Sequence, residues 1–309
     1  MTTFFYSHPA FFEHQTGAGH PESPYRLTAI ATVLKRPEFT ALVHQEAPRA
    51  ERETVQLIHT ESHVRNVFDL IPAEDIAYLD PDTVLSPGSG EAALRAVGAV
   101  CAAVDAVFEG KADNAFCGVR PPGHHAMPEA AMGFCLFNNI AVGAAHARRN
   151  HGIQRVAIVD FDVHHGNGTQ AAFEDNPEVL YASTHQHPWY PGTGNPRETG
   201  VGNIFNLGLP AGSGSKAFRE AMTGTILPAV DRFKPELLLV SAGFDAHRDD
   251  PLASLELDEE DFGWITAELV KLADRHAQGR LVSTLEGGYS LQALGASVAA
   301  HLRALMAAG

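Results

Sequence analysis

The sequence predicts one α/β domain over residues 1–309: a mainly parallel sheet of about eight strands with helices on both faces. Short apolar runs rich in β-branched residues recur along the chain, and Val156-Ala157-Ile158-Val159 is the clearest. Such runs read as strands buried on both faces, as the strands of parallel sheets are. Segments with helical spacing separate most of these runs, which implies crossover connections. Polar residues crowd immediately after the runs, and in open α/β sheets ligand sites lie just beyond the carboxyl ends of the strands. No internal repeat, low-complexity segment or linker breaks the pattern, so a single domain is expected.

Taken in order, residues 3–7 read as the first strand. The stretch HPAFFEHQTGAGHPESPYRL, rich in Gly, Pro and His, reads as a long ordered loop or a site loop. Ser23-Pro24 then opens a helix to about Arg36, with Ser at the N-cap and Pro in the first turn. Residues 41–44 form a candidate strand and 61–70 have helical spacing. DPDTVLSPGSG (80–90) reads as a loop, and 91–109 as an amphipathic helix ended by Gly110. Strand 115–119 leads into the loop RPPGHHAMPEAAMG, followed by a helix over 137–150 with Gly152 behind it. The central strand 156–159 is followed by a short helix at 170–173 and a strand at 179–184. After the loop HQHPWYPGTGNPRETGVG come strand 204–209, helix 216–233 and strand 237–242. Helix 258–276 starts on a capping Asp, 281–285 is the last strand, and 291–306 closes the chain as a helix.

Composition narrows the function. The net charge is −15, which argues against a general binder of nucleic acid or of an anionic membrane. Cys101, Cys117 and Cys135 are odd in number and lack a C-x-x-C spacing, so neither a disulfide framework nor a thiolate zinc site is indicated. Reduced thiols fit a cytoplasmic location. The start MTTFFYSHPAFF has no basic opening and no sustained apolar core, so a signal peptide is not expected. No run of 18 or more apolar residues is present, so no membrane span is expected. A homo-oligomer is compatible with the sequence.

The chemistry concentrates behind the strands. Asp160, Asp162, His164, His165 and Asn167 follow the central strand within eight residues. Asp162 and His164 are two apart and project to the same side in extended backbone. A carboxylate and an imidazole converging from one strand end are good ligands for a divalent metal. A turn of solvated polar groups would explain a lone Asp-x-His, but five such groups behind a buried strand point to metal or acid–base chemistry. Asp245, in GFDAHRDDP, follows its own strand at the same depth and is the natural third ligand. His124 and His125 are held by the stiff Arg120-Pro121-Pro122-Gly123 loop. Adjacent side chains point apart, so the two need separate partners. Glu286-Gly287-Gly288-Tyr289 follows the last strand; its glycines admit close backbone approach, and Tyr289 is within reach of the same rim.

Taken together, RPPGHH, GFCLFNN, DFDVHHGNGT, SAGFDAHRDDP and EGGY resemble the histone deacetylase and acetylpolyamine amidohydrolase superfamily, in order and over nearly the whole chain. GHPESPYRL is similar to the start of its class II, bacterial-type members. The resemblance implies the arginase–deacetylase fold, one catalytic Zn²⁺, and hydrolysis of N-acyl lysine side chains or related amines by a metal-activated water. It implies Asp162, His164 and Asp245 as metal ligands. It makes His124 and His125 an acid–base pair, with Asp160 behind the first and Asn167 behind the second. Tyr289 becomes the residue that polarises the carbonyl, and Gly133, Phe134 and Tyr190 line the acyl channel. Structural K⁺ is implied at the carbonyls of Asp160, Asp162 and His164 with Ser183. A second ion is implied near Phe173, Asn176, Val179 and Phe205.

The residue chemistry agrees with that scheme. Two carboxylates and Zn²⁺ sum to zero charge, so the metal acidifies water less than a three-histidine site does and a separate base is useful. His124, backed by a carboxylate, should be the more readily protonated, and His125 is the expected base. Acetylpolyamine hydrolysis is the alternative; it wants a carboxylate at the channel mouth, with Asp80, Asp82 and the Glu13 loop as candidates. A binuclear Mn²⁺ ureohydrolase needs further carboxylates where this chain has His165, Asn167 and His247. A binder of acylated amines without turnover is a third reading, opposed by competent residues at each proposed position.

Overall fold

A computed structural model describes residues 1–307. The strands are β1 (Thr3–Ser7), β2 (Val43–Glu46), β3 (Ala77–Tyr78), β4 (Val84–Leu85), β5 (Asn114–Cys117), β6 (Val156–Asp160), β7 (Val179–Gln186), β8 (Ile204–Leu209), β9 (Leu237–Ala242) and β10 (Leu281–Leu285). β3 and β4 make a small antiparallel pair. The others form one eight-stranded sheet in the order β2-β1-β5-β10-β9-β6-β7-β8, parallel throughout. Every residue of β5, β6, β7, β9 and β10 is buried, as their apolar runs require.

The helices are α1 (Tyr25–Val33), α2 (Arg52–Val55), α3 (Glu61–Asp69), α4 (Ser89–Phe108), α5 (Asn139–His151), α6 (Asn167–Phe173), α7 (Ser215–Ala221), α8 (Leu227–Phe233), α9 (Glu259–His276) and α10 (Leu291–Met306). α4 packs on α5 against one face of the sheet; α1, α10 and α9 pack in a row against the other. The α/β class with helices on both faces is thus what the chain adopts. Asp258 caps α9 in a reciprocal capping box with Asp261. Among the described residues, no helix is long and apolar enough to cross a membrane.

Three local expectations change. Residues 216–233 are not one α-helix: a π turn at Met222–Ile226 separates α7 from α8. Pro228 lies just beyond that turn and has no N–H to continue the regular ladder. Ser23 does not cap α1; Pro24 holds the N-cap position without a side-chain bond. The β3–β4 pair falls partly in the stretch read as a loop, because strands of two residues carry no period.

The site follows from strand order. β5, β10, β9 and β6 are neighbours, so their carboxyl ends lie within about 15 Å of one another. The register pairs Asp160 with Ser241, which sets Asp162 level with Gly243. Asp245 therefore lies two residues farther on than the equal depth expected, and its carboxylate returns through a turn.

Candidate active site

Asp162 and His164 come from the end of β6, and Asp245 from the end of β9. His164 Nδ1 lies 3.2 Å from Asp162 Oδ1 and 3.2 Å from Asp245 Oδ2. One ligand atom from each residue falls within 4.8 Å of the others, and all three residues are buried. Backbone amides fix the carboxylates: Gly287 donates to Asp162 Oδ2 at 2.8 Å, and Val163 to Asp245 Oδ1 at 2.9 Å. A Cβ at Gly287 would collide with both carboxylates, so this position requires glycine. Burial and the neighbouring Asp162 push Asp245 up to about 7. Burial opposes charge on His164, but its bonds to Asp162 and Asp245 raise it to about 10. Among the described residues, no Lys or Arg pairs with either carboxylate. Two buried carboxylates whose counter-charges are imidazoles alone are costly. An Asp₂His donor set of this kind fits a divalent metal.

The loop after β5 supplies the imidazole pair. The His124 and His125 ring centroids are 4.1 Å apart. His124 Nδ1 lies 3.0 Å from Asp160 Oδ2, which also accepts from Tyr181 Oη at 3.0 Å. His125 Nδ1 lies 2.8 Å from Asn167 Oδ1. Burial opposes charge on His124, yet Asp162 and Asp160 outweigh it and hold this group at about 10. Burial, then His124 and His164, push His125 well below the usual imidazole range. The two neighbours are thus set apart in basicity. Glu286, after β10, locks their loop by accepting from the Gly123 and His124 amides at 2.7 and 3.1 Å.

A cavity of about 200 Å³ opens onto these groups, lined by Asp82, His125, Gly133, Phe134, His164, Trp189, Tyr190, Leu252 and Tyr289. All three expected channel residues are in its wall. Gly133 has φ of +56° and Phe134 +68°. A Cβ at Gly133 would meet the His125 ring at 2.5 Å. Phe134 faces Tyr289 edge-on, with ring centroids 5.9 Å apart. Burial keeps the Tyr289 hydroxyl well above its usual pKa, so it stays a proton donor. Of the carboxylates considered for the mouth, Asp82 lines this cavity, whereas Glu13 lines a separate one. Asp80 accepts from the Asp82 and Thr83 amides instead. His165 pairs with Thr193 and His247 with the Asp249 amide, so neither joins the Asp162 cluster.

A model of the histone deacetylase domain matches residues 20–305. The chain belongs to the histone deacetylase family. It is a hydrolase of the deacetylase and amidohydrolase type, a class that acts on acylated amines. It is 43% identical to the histone deacetylase-like amidohydrolase of Pseudomonas aeruginosa, over 88% of this chain and 73% of that one. It is 40% identical to the chloroplastic histone deacetylase 14 of Arabidopsis thaliana, over 93% of this chain and 73% of that one. It matches the crystal structure of the HDA15 HD domain with a TM-score of 0.94 at 36% identity, covering 99% of this chain and 88% of that chain.

Within this deacetylase fold, further residues support the site that received no role from the sequence. Glu22, Arg26 and Arg120 form a fully buried ion network. Arg26 donates to the Gly288 carbonyl at 2.7 Å and lies 5.0 Å from the Tyr289 ring centroid. Glu22, Arg26 and Arg120 stand inside GHPESPYRL and RPPGHH, but no local pattern says that they meet. Trp189 and Leu252 join the cavity wall through a bond from Trp189 Nε1 to the Leu252 carbonyl at 3.1 Å.

The two implied monovalent-ion sites differ. Asp160 and Ser183 are register partners on β6 and β7, which places the first set of groups side by side. At the second, the carbonyls of Phe173, Asn176 and Val179 converge on the Asn203 amide nitrogen, at 2.8, 3.0 and 2.8 Å. A primary amide nitrogen carries two hydrogens, so at most two of these three carbonyls accept from Asn203 at a time. Phe205 sits on β8 beside Ala182.

Proposed function

We propose that this chain is a zinc-dependent deacylase that hydrolyses N-acyl amides of lysine side chains or related amines, and that one catalytic domain spans it. The observation that carries the reading is the pairing of His124 with Asp160 and His125 with Asn167, directly beside the Asp162–His164–Asp245 cluster. Asp162, His164 and Asp245 would hold the metal. When bound, it would supply Lewis-acid polarisation and lower the pKa of water. His125, kept neutral, accepts the proton of the attacking water. His124, kept protonated, delivers one to the leaving amine. Tyr289 donates its hydroxyl to the acyl oxygen, where negative charge develops.

Phe134, Tyr190 and Gly133 form a narrow wall that suits an extended alkyl stem, and Asp82 offers a negative charge to a cationic substrate. K⁺ at Asp160, Asp162, His164 and Ser183 would brace the loop after β6. The net charge of −15 disfavours direct binding of nucleic acid. Three free, buried thiols are consistent with a reducing, cytoplasmic setting.

Turnover tests the reading. Purified protein is assayed against acetyl-lysine peptides, longer acyl-lysines and acetylpolyamines. Hydrolysis of acyl-lysine that a chelator stops and Zn²⁺ restores supports the proposal. A preference for acetylpolyamines moves the substrate to the alternative, and Asp82→Asn should then raise KM more than it lowers kcat. Chelator-resistant turnover, or none on any acyl amine, overturns it.

A further inference from the structure

A second set of metal-competent side chains lies far from the active site. Asp105 stands near the end of α4, and His146 and His151 on the last turns of α5. The opposite end of α5 is at the site, where Asn138 caps it and its Nδ2 lies 3.1 Å from Thr169 Oγ1. At 1.5 Å per residue, His146 and His151 lie about 12 and about 20 Å along α5 from Asn138.

Both imidazoles aim the same nitrogen at one carboxylate. His146 Nε2 and His151 Nε2 each lie 2.7 Å from Asp105 Oδ1. The three ligand atoms fall within 4.8 Å of one another. Neighbouring groups hold the rings in place. Phe108 stacks on His151 with centroids 4.3 Å apart and planes 12° from parallel. Asn150 brings its amide nitrogen over the His146 ring, 3.2 Å from Nδ1 and 3.4 Å from Nε2. The imidazoles are mostly enclosed, while the Asp105 side chain is 39% exposed, so an ion has a path in from solvent. Among the described residues, Asp105 pairs with no Lys or Arg.

We propose that Asp105, His146 and His151 form a second divalent-cation site, distinct from the catalytic one, that ties the end of α4 to the end of α5. Two imidazoles and one carboxylate select Zn²⁺, Ni²⁺, Cu²⁺ or Co²⁺ over Mg²⁺ or Ca²⁺, which want all-oxygen shells. Water completes the shell on the exposed side. Each imidazole binds in its neutral form, with its proton on Nδ1 and Nε2 free for the ion. For His146 this requires the Asn150 amide to turn its oxygen toward Nδ1, a rotation that keeps the same partner. The N···O distances of 2.7 Å must open by about half an ångström to admit an ion.

The full chain, stripped with a chelator and dialysed against Zn²⁺, is analysed for metal content. In parallel, the shift in Tm on adding Ni²⁺ is recorded. Wild type should take up two ions per chain. His151→Gln and Asp105→Asn should each take up one, keep wild-type turnover and show a smaller Ni²⁺-induced rise in Tm than wild type. Asp245→Ala should also take up one ion but lose turnover, which separates this site from the catalytic one. Equal uptake by wild type and His151→Gln overturns the proposal.

Discussion

His124 and His125 are adjacent in the chain and have opposite surroundings. Asp160 stabilises a protonated His124, while the Asn167 amide leaves His125 neutral. Replacing Asn167 with Asp adds a charge at nearly constant size. A carboxylate there favours imidazolium, so the pKa of His125 rises. The base must be neutral, so the acid limb of kcat/KM should move to higher pH. A limb that stays put or moves down means that His125 is not the group whose deprotonation the reaction needs. Tyr289→Phe should cut kcat by roughly 10²–10³ with a smaller change in KM, the scale of one lost oxyanion donor. Near-normal kcat would show that the ring only packs. The positions of these residues behind strands were legible in the sequence. Their pairing was not a matter of spacing: Asn167 is 42 residues from His125, and only the family resemblance linked them.

Four neighbouring strand ends build the site, and each is an apolar run followed by polar residues. Those runs were readable because buried parallel strands must be apolar along their whole length. Which strand lies beside which was not, since β5 and β10 are neighbours although far apart in sequence. The Asn203 contacts belong to this scale as well, joining the loop before β8 to the α6–β7 turn. No periodicity announces one amide nitrogen lying within 3.0 Å of three carbonyls. The Phe173 and Asn176 carbonyls keep backbone donors in the Asn176 and Val179 amides, so Asn203→Ala removes one side-chain donor from a partly satisfied group, at about 1 kcal/mol. Its Tm should fall, and KCl should restore more of it than in wild type, because the carbonyls are then free to coordinate. A variant whose Tm falls but gains nothing from K⁺ over Na⁺ would show that these carbonyls are no latent ion site.

At the scale of the whole molecule, buried histidines set the response to acid. The sequence shows seventeen histidines but not where they lie. Burial, with neighbouring charges, lowers His14 and His185 to about 4, and His59, His165 and His301 to about 3. In the unfolded chain each regains a value near 6.5. Their stabilisation is therefore complete above about 6.5 and is lost as pH falls toward 4, at about 1.4 kcal/mol per pH unit for each proton. Glu286 and Asp245, raised to about 7, and Asp82, Asp160 and Asp250, raised by burial, act in the opposite direction, but His63 and His125 are lowered as well. Tm should drop as pH is lowered from about 7 to 5. A flat or rising Tm would contradict this burial pattern. The most direct test of the enzyme itself compares wild type with Asp245→Ala for metal content and hydrolysis of an acetyl-lysine amide. The variant should lose one Zn²⁺ per chain together with turnover, while its fold persists by circular dichroism. Full metal content with wild-type turnover in Asp245→Ala would contradict the assignment of this site.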